Sequence, residues 1–410
     1  MPKRCVLCLS LLLAACGPSE TAGPPTLRWY VFKEPSGAFA QAAQRCSAAS
    51  QGRYTIALSD LPADADQQRE QLVRRLAAGD TDLDLIGMDV IWTAEFAEAG
   101  WILAWPPALA GQVVDGRIKG PVASATYRGQ LWAAPFTTNI QLLWYRTDRV
   151  GDPPATWDTL IQRAEGIGDG GRIEIQGERY EGLTVFFVSL LASAGGSVLD
   201  AGGRAPSLAP EPTRQALALM KRLANSPAAD PALDTSREDH TRLAFERGHS
   251  AFMVNYSYVW PSARANAPAV AEHMGWARWP RVDPQRPSRV AIGGLNLGVA
   301  AHSRHPQLAF AAATCLVSVE NQRLAARLGG LPPTTAALYD DPELRRTFPF
   351  AEVLRATLED AVQRPQSPVY SDISLAIGRT LHPLRDIDPE RDVERLRRAV
   401  GRALRSEGLL

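Results

Sequence analysis

Between Leu27 and Asp89 the chain alternates strand and helix twice over, and that order limits its fold more than any other feature. Residues 27–32 read as a strand, and the segment 33–37 breaks it. Phe39, Ala42, Ala43 and Cys46 then recur at helical spacing, which turns Cys46 toward a core. Residues 54–58 alternate as a second strand. Residues 67–78 form a helical stripe of Leu72, Val73 and Leu76, closed by Gly79, and residues 83–88 are a third strand ending at Asp89. A repeated βαβ order predicts an α/β layer around a mostly parallel sheet. Ligands of open α/β sheets gather beyond the carboxyl ends of the strands, so Asp89 stands at a candidate binding edge. Glu95 and Glu98, three apart in a short helical segment, read as solvated rather than catalytic.

A second stretch, residues 134–146, joins a row of short polar side chains to an apolar strand. Ile140, Leu142 and Trp144 share one face and Leu143 and Tyr145 the other, so this strand is covered on both sides. Thr137, Thr138 and Asn139 just before it are either a turn into a core strand or the polar rim of a ligand site.

Farther along, the pattern becomes helix-rich. Thr156 is placed to cap a helix, and residues 182–194 form an uncharged apolar helix too short to span a bilayer. Residues 254–260 carry Tyr256, Tyr258, Trp260 and Asn255, either a stacking surface or aromatics capping a core. From Val290 the apolar phase is even up to Ile292 and odd from Leu295. A phase change at Gly293-Gly294 reads as a bulge with a close backbone approach.

The N-terminus is an export signal. Lys3 and Arg4 precede an apolar run over residues 5–15, and Leu13-Ala14-Ala15-Cys16-Gly17 resembles a bacterial lipobox. That pattern implies a signal peptide over residues 1–15, lipid on Cys16, and a Pro/Gly-rich tether over 16–25. Without Lys3 and Arg4 the body carries 42 basic and 44 acidic residues, and no basic block recruits nucleic acid. Cys5 and Cys8 leave with the signal, so Cys46 and Cys315 remain, either as one disulfide or as two separate thiols. No HExxH, zinc spacing, Walker A sequence, GxGxxG or GxSxG is present, so no metal or cofactor is expected.

The lipobox, residues 89–101, the stretch 133–146, residues 193–199, Gly293-Gly294-Leu295-Asn296-Leu297, Gly329-Gly330-Leu331-Pro332 and Arg364-Pro365 together resemble the family 1 solute-binding proteins of bacterial ABC importers. Within that family they are most similar to the mycobacterial trehalose-binding lipoproteins. The resemblance covers nearly all of the mature chain. It implies an α/β, two-lobe periplasmic-binding-protein (type II, Venus-flytrap) fold with crossing hinge segments. The N-terminal lobe would take residues 26–140 and 294–345, and the helix-rich C-terminal lobe residues 141–293 and 346–410. Asp89, Thr138, Asn139, Gly294, Leu295 and Arg364 would supply contacts to a sugar, with Tyr256 under its ring and Glu34 in the first loop as a further candidate. Many relatives carry Trp where this chain has Tyr256, and the wider maltose and trehalose binders carry Trp in place of Leu295. A Cys46–Cys315 pair fits the resemblance, because both helices would belong to the N-terminal lobe.

The implied function is a monomeric, lipid-anchored receptor that binds trehalose or a similar disaccharide without chemistry and delivers it to ABC permease subunits. Sugar hydroxyls donate and accept, which suits a carboxylate, an amide, a guanidinium and an apolar face. The alternatives are a receptor for another small polyol such as a glycerophosphodiester, a secreted carbohydrate-active enzyme using Asp89 with Glu34, and a scaffolding lipoprotein.

Overall fold

Five strands, Thr26–Phe32 (β1), Thr55–Leu61 (β2), Leu85–Asp89 (β3), Ala133–Asn139 (β6) and Gly293–Val299 (β11), form the first sheet of the computed structural model, in the order β2-β1-β3-β11-β6. The structure describes residues 23–62 and 64–407, so the expected signal peptide and lipidated Cys16 lie outside the described residues. β1 runs parallel to β2 and β3, as the βαβ order requires. β11 is antiparallel to both β3 and β6, which makes the sheet mixed rather than mostly parallel on that side. A short hairpin, Thr126–Tyr127 (β4) and Gln130–Leu131 (β5), precedes β6.

Helices cover both faces of this sheet because successive side chains of its strands point to opposite sides. Leu27, Trp29 and Val31 pack with Phe39 and Cys46 of the helix Ala38–Ala49 and with Phe310 and Ala313 of Pro306–Leu316. Tyr30, Ile86 and Met88 face Leu72 and Leu76 of Ala65–Ala77. Cys46 and Cys315 form a disulfide that ties two helices of this lobe together.

Leu142–Arg146 (β7), Arg172–Glu174 (β8), Ser250–Asn255 (β9) and Met274–Ala277 (β10) form a second sheet in the order β10-β7-β9-β8. It shares a separate core with the buried helix Glu181–Ser193, the helix Pro210–Ala224 and the C-terminal helices. Among the described residues no helix is long and apolar enough to cross a membrane.

Among the described residues the chain passes between the two lobes three times. Phe136 belongs to the first and Ile140 and Leu142 to the second, so the stretch 134–146 is split after Asn139. Thr137, Thr138 and Asn139 are the last residues of β6, not a turn. Val290 and Ile292 lie in the second core and Leu295 in the first, so the phase change at Gly293-Gly294 marks a crossing. The register shift itself falls between Leu295 and Asn296, opposite Pro135, which has no N–H to offer the ladder. In the third crossing, the buried Gln322 accepts from the backbone N–H groups of Thr334 and Thr335 at 2.8 and 3.0 Å. Leu338, Tyr339 and Leu344, placed by the sequence in the first lobe, pack in the second core.

Candidate functional site

Because β11 runs antiparallel between β3 and β6, its first residues lie at the same edge as their last ones. Asp89 pairs with Leu295 and Asn139 with Gly293. This edge faces the second lobe, where the C-terminal end of β9 and the N-terminus of the helix Glu181–Ser193 approach it.

Asp89 caps the short turn Val90–Trp92, its Oδ1 accepting the N–H of Ile91 at 3.2 Å. The same oxygen accepts Nη2 of Arg364 at 3.0 Å. Arg364 belongs to the loop before the helix Tyr370–Leu381, and its side chain is only 5% exposed. Its Nη1 donates to Oε1 of Glu181 at 2.6 Å, and the Tyr370 hydroxyl donates to that oxygen at 2.5 Å. The loop is lashed to the first lobe by Gln363 Nε2 on the Gly120 carbonyl at 2.9 Å and Gln366 Nε2 on that of Ala123 at 2.8 Å. One guanidinium thus joins a carboxylate of each lobe, and its buried Nε remains without a partner.

Tyr256 follows β9 directly. Asn255 fixes that strand end by donating to the Glu238 carbonyl and Thr241 Oγ1, both at 2.9 Å, while its Oδ1 accepts the Tyr256 N–H at 2.8 Å. Burial, reinforced by the nearby Glu238 and Glu181, pushes the Tyr256 hydroxyl well above its ordinary value, so it stays protonated and able to donate. Burial also raises Asp89, against the opposing pull of Arg364. Glu238 is raised by burial, and Asp66 by burial together with Asp64 and Glu181. Arg364 is held charged because Glu181 and Asp89 outweigh its desolvation. The cleft is therefore rich in carboxylates and phenols around one arginine.

Of the residues singled out from the sequence, Asp89, Arg364 and Tyr256 come together here. Asn139 stands at the same strand edge, its buried Oδ1 unpartnered and lying over Gly293. Thr138 is buried and donates to the Gly293 carbonyl at 3.2 Å, so its hydroxyl fastens the crossing. Gly294 has φ +136°, and a Cβ there would lie 2.3 Å from the Thr137 carbonyl oxygen. Leu295 packs inside the first core. Glu34 spends both carboxylate oxygens on the N–H groups of Ser36 and Ala38, each at 2.8 Å, which closes the start of the helix Ala38–Ala49.

Sequence reasoning missed Glu181, Tyr370, Glu238 and Asp66. Glu181 stands just before the uncharged run read from Gly182, where a lone charge looks like a flank. A second bridge between the lobes was also invisible. Arg237 Nη1 donates to Asp64 Oδ2 at 3.2 Å, while its other nitrogens grip Glu178 at 2.6 and 2.8 Å over the Tyr180 ring. Among the described residues no group of three or more His, Cys, Asp or Glu is placed to hold a metal ion.

Comparison with known proteins agrees with this architecture. Residues 55–323 match the family model described as bacterial extracellular solute-binding protein. The chain is 28% identical over 345 residues to a probable ABC transporter-binding protein of Deinococcus radiodurans, covering 80% of this chain and 81% of that protein. Maltose-bound MalE3 of T. maritima superposes with a TM-score of 0.82 at 26% identity, over 92% of this chain and 98% of that one. A solute-binding protein of Thermotoga lettingae bound with α-D-tagatose gives a TM-score of 0.80 over 93% and 100% of the two chains; at 22% identity it shows the fold alone. The two-lobe fold is that of these binding proteins, which are receptors rather than enzymes, and the family's location is extracytoplasmic. The chain belongs to the bacterial extracellular solute-binding proteins.

Proposed function

We propose that this receptor captures trehalose or a closely related disaccharide between its lobes and delivers it to an ABC permease, tethered to the membrane through lipid on Cys16. The observation that carries the reading is the Asp89–Arg364–Glu181 constellation, set between the lobes with Tyr256 and Tyr370 beside it. These groups offer acceptors, donors and aromatic faces, the inventory that hydroxyl-covered rings require. Asn139 adds an acceptor at the same edge. The resemblance to trehalose-binding lipoproteins supports the choice of disaccharide, and the maltose in the T. maritima relative supports a site of that size. The excess of carboxylates disfavours a glycerophosphodiester, which calls for positive charge. Only a ligand that touches both lobes shifts an open–closed equilibrium, and Asp89 and Glu181 stand on opposite ones.

Calorimetry with trehalose, maltose and sucrose tests the reading. Micromolar binding, about 8 kcal/mol, of one of them is expected, weakened at least tenfold by Asn139→Ala and by Tyr256→Ala. No heat with any of the three would sink the disaccharide assignment. Mass spectrometry of the mature N-terminus tests the anchor, which predicts a diacylglyceryl adduct on Cys16 that Cys16→Ser abolishes.

A further inference from the structure

Arg364 would be a natural docking point for an anionic ligand, being buried, charged and with Nε unpartnered. In this cleft its two terminal nitrogens are already committed, one to each lobe's carboxylate. Glu181 is the centre of the arrangement. It binds Arg364 and Tyr370 directly. Its charge is also felt at Asp66 and Asp89 of the first lobe and at Tyr180, Glu238 and Tyr256 of the second.

Counting charge gives the consequence. Asp89 and Glu181 together exceed the single positive charge of Arg364, and Arg69, which lies near Asp66, is held by Glu95. Arg237, at the edge, is gripped by Glu178 and Asp64. A neutral sugar meets only hydrogen-bonding groups here. A phosphorylated sugar meets a net negative field in a partly desolvated space, where repulsion is several times stronger than in water. Like-charge juxtaposition of this kind is a means of rejecting a wrong ligand.

We propose that Glu181 is a specificity-determining residue that restricts the cleft to uncharged sugars, by neutralising and positioning Arg364 and keeping the net charge of the site negative. This rests on the disaccharide reading above. Glu181 also stands at the N-terminus of its helix, where a carboxylate is favourable for the helix dipole alone. A purely structural role would leave ligand selectivity untouched, so selectivity is the readout.

The probes are trehalose and trehalose 6-phosphate, titrated into the full-length mature protein at low and high salt. The wild type is expected to prefer trehalose by about a hundredfold or more, with the phosphorylated sugar gaining on added salt as repulsion is screened. Glu181→Gln should narrow the preference at least tenfold. Glu181→Asp, which keeps the charge, should hold it near the wild-type ratio, and Tyr370→Phe should weaken both sugars together. If Glu181→Gln weakens both sugars equally, or if the wild type favours the phosphorylated one, the selectivity role is overturned while disaccharide binding stands. If the wild type binds neither probe, nor maltose nor sucrose, the disaccharide reading fails and this inference falls with it. Should Glu181→Gln not fold, the salt dependence of the wild-type ratio decides: a ratio indifferent to salt overturns the proposal.

Discussion

Asp89 and Arg364 lie 275 positions apart in the chain and 3.0 Å apart across the cleft. Arg364 also holds Glu181 at 2.6 Å, so removing the arginine leaves one carboxylate on each lobe facing the other. Deleting one partner of a fully buried ion pair costs about 3–5 kcal/mol. Asp89 and Glu181 are about a quarter exposed, which reduces this to roughly 1–3 kcal/mol. Arg364→Ala should lower the unfolding temperature by several degrees and weaken sugar binding at least tenfold. Asp89→Asn in the Arg364→Ala background should recover part of the lost stability, because it removes an unpaired charge. A double-mutant cycle followed by thermal unfolding checks this, and strict additivity would deny the coupling.

Glu174 gives a pH dependence whose sign is fixed by its surroundings. It is 1% exposed, accepts a hydrogen bond from Ser250, and burial pushes its carboxyl up to about 8 from an ordinary 4.5. The folded state then holds a proton that the unfolded chain has released. Its contribution to stability is full below pH 4.5 and is lost as the pH rises toward 8. Glu174→Gln should therefore stabilise the protein at pH 8, by ~1–3 kcal/mol, and change little at pH 4.5. Denaturant unfolding at the two pH values measures it; an equal effect at both would contradict the account.

The Cys46–Cys315 bridge closes a separation of 269 residues. In the chain-entropy model a loop of that length stabilises by at most ~5.6 kcal/mol. Reduction, or Cys46→Ser with Cys315→Ser, should lower the unfolding temperature through the first lobe. Hydrogen exchange should quicken around β1 and the helix Ala38–Ala49 more than around β9. Uniform loss of protection across both lobes would argue against a local tie.

Gly294→Ala is expected to be poorly tolerated. Its φ of +136° is open to glycine alone, and the added Cβ would meet the Thr137 carbonyl oxygen at 2.3 Å. Because β11 enters the first sheet here, the strain acts on a crossing between the lobes. A loss of about 2–4 kcal/mol, with altered sugar affinity, should appear in denaturant and calorimetric titrations. Wild-type stability in this variant would remove the close approach from the argument.

Much of the first lobe was readable from the chain because its strands and helices follow one another directly. The alternation from Leu27 to Asp89 carries its own periodicity, and Asp89 falls at a strand end for the reason the pattern gives. Thr156 caps its helix as expected, its Oγ1 accepting the Thr159 N–H at 3.2 Å. The antiparallel β11 was not readable, since its partners β3 and β6 come from far upstream. The phase change at Gly293-Gly294 reads as a bulge from sequence alone, because sequence phase cannot tell a local kink from passage between two cores.

The site divides the same way. The residue types that the proposed sugar site would use, with Asp89, Asn139, Tyr256 and Arg364 among them, were visible in the sequence and in its family resemblance. That Glu34 closes a helix and that Thr138 fastens a crossing were decided by backbone N–H and C=O groups that had to be satisfied, whereas Leu295 is buried by apolar packing in the first core. By itself the sequence determined the α/β order and the chemistry on offer. Only the tertiary structure decided that Glu181, at the head of an apolar helix, would share Arg364 with Asp89. A desolvated arginine demands a carboxylate partner, and no local pattern in the chain records which distant ones the fold brings to it.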